Sequence, residues 1–476
     1  MSKHIAVIGG GISGVLQSLA LLRHPGIRVT LVERDAKLAR GLAYSTPHQS
    51  HLLNVRACNM SAYADAPGHF AEWLQARHLG RPDDYVARTI YGDYLEDQLR
   101  TALAASDGRL HVVRGTALDL QRAGDRVRIA IDGQDPLFAD SAVLALGHLR
   151  PHALGATSPE ALGGAYINDP WAGEVSQIRS NDGTVLLAGT GMTMIDIALQ
   201  LLDQGFGGKI IAVSRRGLLP LSHTDEAHPI PLREASAVTP RLSALVAETR
   251  AVAKQIDWRT AIDQLRPHLQ SLWQAASTDE KSRFLRHLRP WWDIHRHRLS
   301  PSASRRIEAL VAEGRLTVIA AKLLAFERAG DGIRTHWRAR GTDIVHAQTV
   351  SRVINCTGPG CDVGKSRNPL LQNLLAAGTV RPGFARMGLD VTARFQVIDS
   401  HGRPLRNLYA LGPMTRGAFW EITAVPEIRT QTVQLAEILA APGKGARTPA
   451  RAPDLTPTRR CRGAQAHARL LLSAGH

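Results

Sequence analysis

Three glycines near the start of the chain have the spacing of a phosphate-binding turn. Gly9, Gly11 and Gly14 follow the apolar residues 4–8 in a Gly-x-Gly-x-x-Gly pattern and stand where an apolar helix begins. The first glycine permits a tight turn, the second leaves the main chain open to a pyrophosphate, and the third lets helix and strand pack closely. Free amides at the helix start, beside Ser13, would face the phosphates with the positive end of the helix dipole.

An acidic residue follows the next predicted strand. Residues 29–32 are apolar or β-branched, and Glu33 and Arg34 come directly after them. A carboxylate at this point accepts hydrogen bonds from ribose hydroxyls in dinucleotide-binding units. Strand, glycine turn, helix, strand and acid together predict a site for an ADP-containing dinucleotide. A glycine-rich turn that holds no ligand is the alternative.

A second glycine turn begins at residue 189. The apolar strand 185–188 precedes it, the apolar helix 195–202 follows, and Met194 replaces the third glycine. Two arginines stand after the next strand, where an acid would favour a free 2′-hydroxyl. Arginine favours a 2′-phosphate, so we expect NADPH here, with NADH possible and a solvated strand end as the alternative. The residues predicted to bind this nucleotide are Gly189, Thr190, Gly191, Met192, Thr193, Arg215 and Arg216.

Two dinucleotide units in one chain predict hydride transfer from a nicotinamide to a flavin. On this interpretation the first unit holds FAD and the second holds NADPH. Three later apolar runs end in glycine, at Gly147, Gly358 and Gly412. We expect these runs to be strands that bring the chain back against the cofactors.

The order of these units predicts an α/β fold with two Rossmann-type dinucleotide-binding domains, for FAD and NADPH, and an inserted helical subdomain. A chain of 476 residues is too long for one core. The predicted parts are residues 1–165, the first part of the FAD-binding domain; 166–355, the NAD(P)H-binding domain with a helical insertion at 236–306; 356–441, the second part of the FAD-binding domain; and 442–476, a disordered basic tail.

Composition narrows the function classes. The formal charge is +16, and a basic stretch at 283–306 contains two tryptophans, a combination that suits RNA or an anionic small molecule. We expect an anionic small-molecule substrate and no nucleic-acid partner. No apolar run approaches the roughly 20 residues of a membrane helix, and the four cysteines lack disulfide or zinc spacing. We therefore expect no membrane span, no metal and a cytoplasmic location.

The chain resembles a bacterial family of FAD/NAD(P)-binding flavoproteins related to monooxygenases and N-hydroxylases. The resembling segments lie within residues 1–440 and are 9–14, 51–61, 189–196, 213–220 and 417–429. The resemblance implies an enzyme that uses FAD, NAD(P)H and O2. It also implies that His51 and Asn54, in the second of these segments, contact the flavin.

The same resemblance implies a reaction. Reduced FAD would react with O2 to a C4a-hydroperoxyflavin that hydroxylates a small electron-rich substrate, so the protein need not supply a nucleophile and we assign no catalytic residue. Within the family, the resemblance is greatest to FAD-dependent urate hydroxylation, which implies conversion of urate to 5-hydroxyisourate in purine degradation. The alternatives are N-hydroxylation of an amine, an FAD reductase that passes electrons to a partner and, more remotely, an RNA-associated flavoprotein.

Two stretches hold side chains suited to a planar or anionic substrate. Residues 291–298 combine tryptophan, histidine and arginine, and residues 416–421 combine arginine, tryptophan and glutamate. Such groups line pockets for anions, but they also anchor amphipathic helices or pair with one another, and both interpretations stay open. The candidate substrate residues are Trp291, Trp292, His295, Arg416, Trp420 and Glu421.

Overall fold

The protein is described by a computed structural model that places residues 2–155, 157–179, 183–225 and 241–441. The predicted basic tail, 442–476, lies outside the described residues.

Strands and helices are numbered along the chain. The strands are β1 (Lys3–Ile8), β2 (Ile27–Glu33), β3 (Leu110–Arg114), β4 (Ala117–Ala123), β5 (Arg126–Ile131), β6 (Leu137–Ala139), β7 (Ser141–Leu144), β8 (Tyr166–Ile167), β9 (Thr184–Ala188), β10 (Lys209–Ser214), β11 (Leu316–Ala329), β12 (Gly332–Ala339), β13 (Val345–Val350), β14 (Arg352–Asn355), β15 (Gln396–Ile398) and β16 (Pro404–Ala410).

Helices cover both sheets and form a separate group between β10 and β11. The α-helices are α1 (Ile12–Leu22), α2 (Gly41–Tyr44), α3 (His69–Ala76), α4 (Arg88–Ala105), α5 (Pro159–Leu162), α6 (Met192–Asp203), α7 (Leu242–Gln255), α8 (Trp258–Leu265), α9 (Leu269–Ala275), α10 (Thr278–Arg283), α11 (Arg289–Arg296), α12 (Pro301–Ala312), α13 (Pro369–Ala376) and α14 (Val425–Ala440). A short π-helix, Phe284–Leu288, joins α10 to α11.

The first sheet has six strands in the order β15–β16–β7–β1–β2–β3. All pairs are parallel except β15 with β16. The carboxyl ends of parallel strands meet at one edge, and open α/β sheets bind ligands at that edge. The chain leaves this edge beside Gly9, Glu33, Gly147 and Gly412. The topology therefore brings four predicted cofactor residues together from separate parts of the sequence.

Close packing at the first turn explains two of its glycines. Gly9 has a φ of 107°, a conformation that favours glycine, and a Cβ there would collide with the Ala145 carbonyl group. A Cβ on Gly14 would collide with the carbonyl oxygen of Gly9. Helix α1 can therefore lie directly against β1 only because residue 14 has no side chain.

The second sheet has seven strands in the order β13–β12–β11–β10–β9–β14–β8. Strands β8, β14, β9, β10 and the first part of β11 are parallel, whereas β11, β12 and β13 form an antiparallel meander. The turn that starts at Gly189 follows β9, and Arg215 and Arg216 follow β10, at the shared carboxyl edge. Gly358 lies beyond the end of β14, beside the same turn.

Helices α7 to α11 and the start of α12 lie within the predicted insertion, 236–306, of which 236–240 fall outside the described residues. The insertion packs against the chain that follows β16. The indole nitrogen of Trp273 donates to the Gly417 carbonyl oxygen at 3.0 Å, and its ring stacks on Trp420 with centroids 4.8 Å apart. Arg266 forms a bidentate pair with Glu427, at 2.6 and 3.0 Å. The insertion is thereby held beside the ligand-binding edge of the first sheet.

The predicted α/β fold with two Rossmann-type units and a helical insertion is confirmed. The division of the chain into 1–165, 166–355 and 356–441 stays a prediction. In the structure, the first sheet takes its strands from residues 3–33, 110–114, 141–144 and 396–410, and the second sheet from 166–355. Strands β4, β5 and β6 form a separate antiparallel sheet of three strands.

Replacing Gly14 by alanine tests the close approach of α1 to β1. We expect Gly14→Ala to lower stability by about 1–3 kcal/mol, because overpacking a tight contact forces the backbone to shift. Thermal unfolding followed by circular dichroism measures the loss, and FAD retained after gel filtration measures the effect on the turn. Gly26→Ala is the matched control, because a Cβ at Gly26 meets no atom within 4 Å. Equal melting temperatures for the two variants would contradict this account.

Candidate active site

The first glycine turn presents an unpaired hydroxyl group at the start of α1. Gly11 caps the helix, and the Ser13 hydroxyl is buried without a hydrogen-bond partner in the described part of the chain. A Cβ on Gly412, which has a φ of 67°, would come within 2.5 Å of that hydroxyl. A helix N-terminus with free amides, a bare glycine and an unsatisfied donor is a suitable cradle for a pyrophosphate.

Glu33 lies against the same turn. Its carboxylate accepts hydrogen bonds from the Gly10 amide at 2.5 Å and the Asp35 amide at 2.9 Å. These two amides hold the carboxylate at the carboxyl end of β2, where it also has capacity for ribose hydroxyls. Arg34 is exposed, with its guanidinium 3.9 Å from Asp35. The geometry fits the adenosine half of a dinucleotide.

His51 fastens the first unit to the second. It is fully buried; Nδ1 lies 2.6 Å from the Thr46 hydroxyl, and Nε2 donates to the Asp196 carbonyl oxygen on α6 at 3.1 Å. Burial, assisted by the Arg88 charge, lowers the pKa of His51 to about 3. Both ring nitrogens are thus engaged within the protein, and the flavin contact that the family resemblance implied for His51 stays a prediction. Asn54 accepts at its carbonyl oxygen from His223, at 3.2 Å.

The second glycine turn is shaped in the same way as the first. Gly189 has a φ of 121°, and a Cβ there would collide with the Cys356 carbonyl group. Gly191 caps α6 and faces open space, so a phosphate can approach its backbone. The Thr190 hydroxyl is 2.9 Å from that of Ser214 and donates to the Leu218 carbonyl oxygen at 2.6 Å, which gives it a structural role.

A cleft of 490 Å³ opens in front of this turn. Its walls come from the second sheet, the insertion and the chain after β16. None of its five arginines forms an ion pair with a carboxylate in the described ranges, and the lining contains one acid, Asp293. The five arginines are Arg215, Arg216, Arg286, Arg340 and Arg416. Such a surplus of positive charge suits the phosphates of NADPH and an anionic substrate.

A second depression of 320 Å³ adjoins the cleft at Arg215. Lys322, Arg338 and Arg340 complete its basic wall, and only Arg338 pairs with an acid there, at 3.7 Å from Asp343. The basic wall therefore extends beyond the two arginines predicted from the sequence. The additional cations come from β11 and from the end of β12, which the sequence does not place next to β10.

The candidate substrate residues of α11 all lie on the side of the helix away from the basic cleft. Trp291, Trp292 and His295 line a separate apolar cavity of 310 Å³ inside the insertion, together with Trp420. Asp293 and His297 line the basic cleft instead. The structure therefore does not bring the three predicted residues into the cleft, and their role toward substrate stays a prediction. Positions 293 and 297 are one helical turn apart, as are 291 and 295, so helical periodicity could have separated the two sides.

Glu421 is buried where the insertion meets the chain after β16. The Trp292 indole donates to its carboxylate at 2.9 Å, with His297 at 3.7 Å and Arg296 at 3.6 Å. Its φ of 65° is strained for a residue with a side chain. Burial alone would raise the pKa of Glu421, but His297, Arg296 and the Trp292 N–H hold it well below its usual range. The residue is a fixed anion beside the cleft.

Arg416 is the cation that stands between the two units. Its Nε atom is buried without a hydrogen-bond partner in the described ranges, and its guanidinium lies 4.8 Å from the centre of the Trp420 ring. Burial, together with the neighbouring charge of Arg289, lowers the pKa of Arg416. Burial and Arg416 also lower the pKa of His148, beside Gly147, to about 4. Arg416 thus lies between the first sheet's edge and the cleft, and it forms no ion pair with a carboxylate in the described ranges.

No group of three metal-ligating side chains lies together in residues 2–155, 157–179, 183–225 and 241–441. The helices described in those ranges include none long and apolar enough to span a bilayer.

Comparison with known families identifies the first unit. Residues 6–149 match the FAD-NAD(P)-binding family. This match confirms FAD and NAD(P) as the predicted cofactors. The assignment of FAD to the first turn and of NADPH to the second, residue by residue, stays a prediction.

Two characterised proteins are similar to part of the chain. L-aspartate N-monooxygenase (nitrosuccinate-forming) of Streptomyces cremeus is 35% identical over 156 residues, which are 31% of this chain and 23% of that protein. Nitrosuccinic acid synthase of Aspergillus oryzae is 30% identical over 238 residues, 43% of this chain and 36% of that protein. The chain thus spans well under half the length of these relatives.

Solved structures share the fold over nearly the whole chain. Ornithine N-hydroxylase of Kutzneria sp. 744 and L-lysine 6-monooxygenase of Pseudomonas syringae each align with a TM-score of 0.65 at 16% identity, over 92% of this chain and 99% of theirs. Thioredoxin reductase of Lactococcus lactis covers the same shares with a TM-score of 0.54 at 12% identity. None of these proteins is a urate hydroxylase, so the expectation of urate finds no support in them.

The basic wall predicts a preference for the 2′-phosphate. We expect Arg215→Ala to raise the KM for NADPH about 10-fold, the loss of one charge-assisted hydrogen bond, and to change the KM for NADH little. Initial rates of FAD reduction with each nucleotide measure both constants. Arg334→Ala is the control, because Arg334 is an exposed arginine of the same sheet outside both depressions. An equal rise for both nucleotides would show that Arg215 does not recognise the 2′-phosphate.

Proposed function

We propose that the protein is an FAD-dependent, NADPH-consuming monooxygenase that hydroxylates the nitrogen of a small amino acid with an acidic side chain. One observation carries this proposal: the cleft in front of the second dinucleotide turn contains a buried arginine, Arg416, that forms no ion pair with a carboxylate in the described ranges. The partial similarity to an L-aspartate N-monooxygenase supports it. The fold shared with ornithine and lysine hydroxylases is compatible with it.

The residues at the two turns are suited to hold the cofactors. Gly11, Ser13 and Glu33 would bind the pyrophosphate and ribose of FAD, and Gly191 and Arg215 those of NADPH. Bound FAD supplies the electrons, delivered by NADPH, with which O2 is split so that one oxygen atom reaches the substrate. The task of the protein is then to bind the substrate, orient its nitrogen and exclude water.

The charges of the cleft favour a substrate that carries carboxylates. Arg416 lies on the side of the first sheet and Arg286 on the insertion, and neither pairs with an acid in the described ranges. The lining acid, Asp293, is already 3.4 Å from Arg289. A cationic side chain would therefore find no free acid in this lining, whereas an acidic amino acid would compensate the arginines. This separates the proposed substrate from the ornithine and lysine of the structural relatives.

Substrate-stimulated NADPH oxidation tests the proposal. The FAD-loaded protein is offered L-aspartate, L-glutamate, L-ornithine, L-lysine and urate in separate assays, and products are identified by mass spectrometry. We expect the acidic amino acids to stimulate oxidation most and to yield an N-oxygenated product. Stimulation by urate with 5-hydroxyisourate as product would overturn the proposal in favour of urate hydroxylation. Electron transfer to an added acceptor without any hydroxylated product would favour a reductase.

Arg416 is the residue whose loss should weaken substrate binding most. We expect Arg416→Ala to raise the KM for the amino acid about 10- to 100-fold, because a carboxylate bound by a desolvated arginine is worth roughly 1.5–3 kcal/mol. Arg416→Lys should recover part of the loss, since it keeps the charge but not the planar donor pair. The exposed Arg394 provides the control substitution, Arg394→Ala. If Arg416→Ala released FAD and left the KM unchanged, Arg416 would serve the flavin instead.

A further inference from the structure

One imidazole faces the cleft from the end of α11. The main-chain amide of His297 donates to the Asp293 carbonyl oxygen at 2.9 Å, so the residue still belongs to the helix. Its side chain lines the cleft together with Arg416, and its Nε2 atom lies 3.7 Å from a carboxylate oxygen of Glu421. Its Nδ1 atom has no hydrogen-bond partner in the described part of the chain. Glu421 therefore restricts the orientation of the ring on the Nε2 side, and Nδ1 is free to accept a proton.

We propose that His297 is the proton acceptor for the ammonium group of the substrate, and that Glu421 is the positioning residue that orients it. This proposal rests on the function proposed above. It adds a residue to a site for which the sequence indicated no catalytic group. It also gives a role to the buried Glu421, whose second carboxylate oxygen, Oε2, makes no hydrogen bond in the described ranges.

The chemistry of N-hydroxylation needs such an acceptor. An amino acid binds near neutral pH as an ammonium ion, which has no lone pair to attack an electrophilic oxygen atom. Transfer of one proton to His297 leaves R–NH2, which is hydroxylated to R–NHOH. The transferred proton then leaves with the second oxygen atom in water. The sum is R–NH3⁺ + O2 + NADPH → R–NHOH + H2O + NADP⁺, which balances atoms and charge without an external acid or base.

Glu421 is placed to stabilise the imidazolium that this step forms. The carboxylate is 2% exposed and is fixed by the Trp292 indole at 2.9 Å. A fixed anion beside an imidazole favours the protonated ring and so strengthens it as a base. Asp293, four residues earlier on the helix, is the other acid in the cleft, but it already lies 3.4 Å from Arg289.

Several cations also line the cleft near the end of α11. The charged groups around His297, from α11, the π-helix, the chain after β16 and the second sheet, are Asp293, Glu421, Arg289, Arg296, Arg286, Arg416, Arg215, Arg216 and Arg340. Of the two anions, Glu421 lies 3.7 Å from Nε2 of the ring, and on the function proposed above several of the cations would also bind the substrate and NADPH.

The pH dependence of the His297→Asn variant is the decisive experiment. We expect kcat/KM for the amino acid to fall by about 10²- to 10⁴-fold at pH 7, the usual contribution of a general base. The loss should shrink as the pH rises to the pKa of the free amine, because the substrate then arrives unprotonated. The FAD content and melting temperature of the variant, compared with those of the wild-type protein, show whether it is folded. His287→Asn, an exposed histidine of the same insertion, is the control.

Glu421→Gln separates positioning from catalysis. The amide can still accept the Trp292 hydrogen bond, but the negative charge that would stabilise the protonated ring of His297 is gone. We expect kcat/KM for the amino acid at pH 7 to fall, and the loss to shrink as the pH rises to the pKa of the free amine. Because this variant leaves Arg296 poorly compensated, its folding is checked by FAD content and melting temperature.

The possible outcomes separate the two proposals. In one outcome, the wild-type protein hydroxylates an amine while the His297→Asn variant loses the same factor in kcat/KM at every pH. That result would overturn the role of His297 alone. So would an unchanged rate and pH profile. A wild-type protein that hydroxylates no amine would overturn the proposed function and this inference with it. Recovery of the His297→Asn variant at high pH is the result that supports both.

Discussion

A buried group of opposite charges joins the helical insertion to the chain that follows β16, and the shape of the cleft depends on it. Glu421 and Glu427 belong to that chain, and Arg266 and Arg296 belong to the insertion. Arg266 forms an ion pair with Glu427 at 2.6 Å. Removing one partner of a buried ion pair typically costs about 3–5 kcal/mol, because the remaining charge stays in a medium of low polarity. If the insertion moved away, these charges would therefore be exposed to solvent or left buried without a partner. Its position in turn fixes α11, and α11 presents His297 and Asp293 to the cleft.

The two sheets hold their glycine turns in the same way. Each has a glycine turn at the carboxyl edge of a parallel strand, and in each turn a Cβ would strike a neighbouring carbonyl group, of Ala145 or of Cys356. This packing leaves free amides at the starts of α1 and α6 for phosphates. His51 and the Arg88–Asp196 pair, at 2.8 Å, fasten the loop after the first unit to α6. The basic cleft is thus bordered by segments that direct contacts hold together.

The sequence predicted the parts of this fold that local rules determine. The glycine turns at 9–14 and 189–191, the strand ends at Gly147, Gly358 and Gly412, and the helical insertion lie where expected, because turn geometry and apolar runs are local properties. The residues of the candidate site were predicted less completely than the fold.

His51 was assigned to the flavin, and its two ring nitrogens bond within the protein. Trp291 and His295 were assigned to the substrate, and they lie on the side of α11 that faces an apolar cavity. Arg340 and His297 were missed because their place in the cleft depends on contacts between distant segments. Helical spacing alone could have pointed to His297, whereas nothing local marks Arg340.

The central claim is that O2 is used to oxygenate the nitrogen of an acidic amino acid bound in the basic cleft. In the most direct test, the FAD-loaded protein is supplied with NADPH, L-aspartate and oxygen-18-labelled O2, and the mass of the product is measured by mass spectrometry. The account predicts one heavy oxygen atom on nitrogen for each N-hydroxylation, with NADPH consumed in step. NADPH oxidation that yields only hydrogen peroxide, with no heavy oxygen in any amine tested, would contradict it.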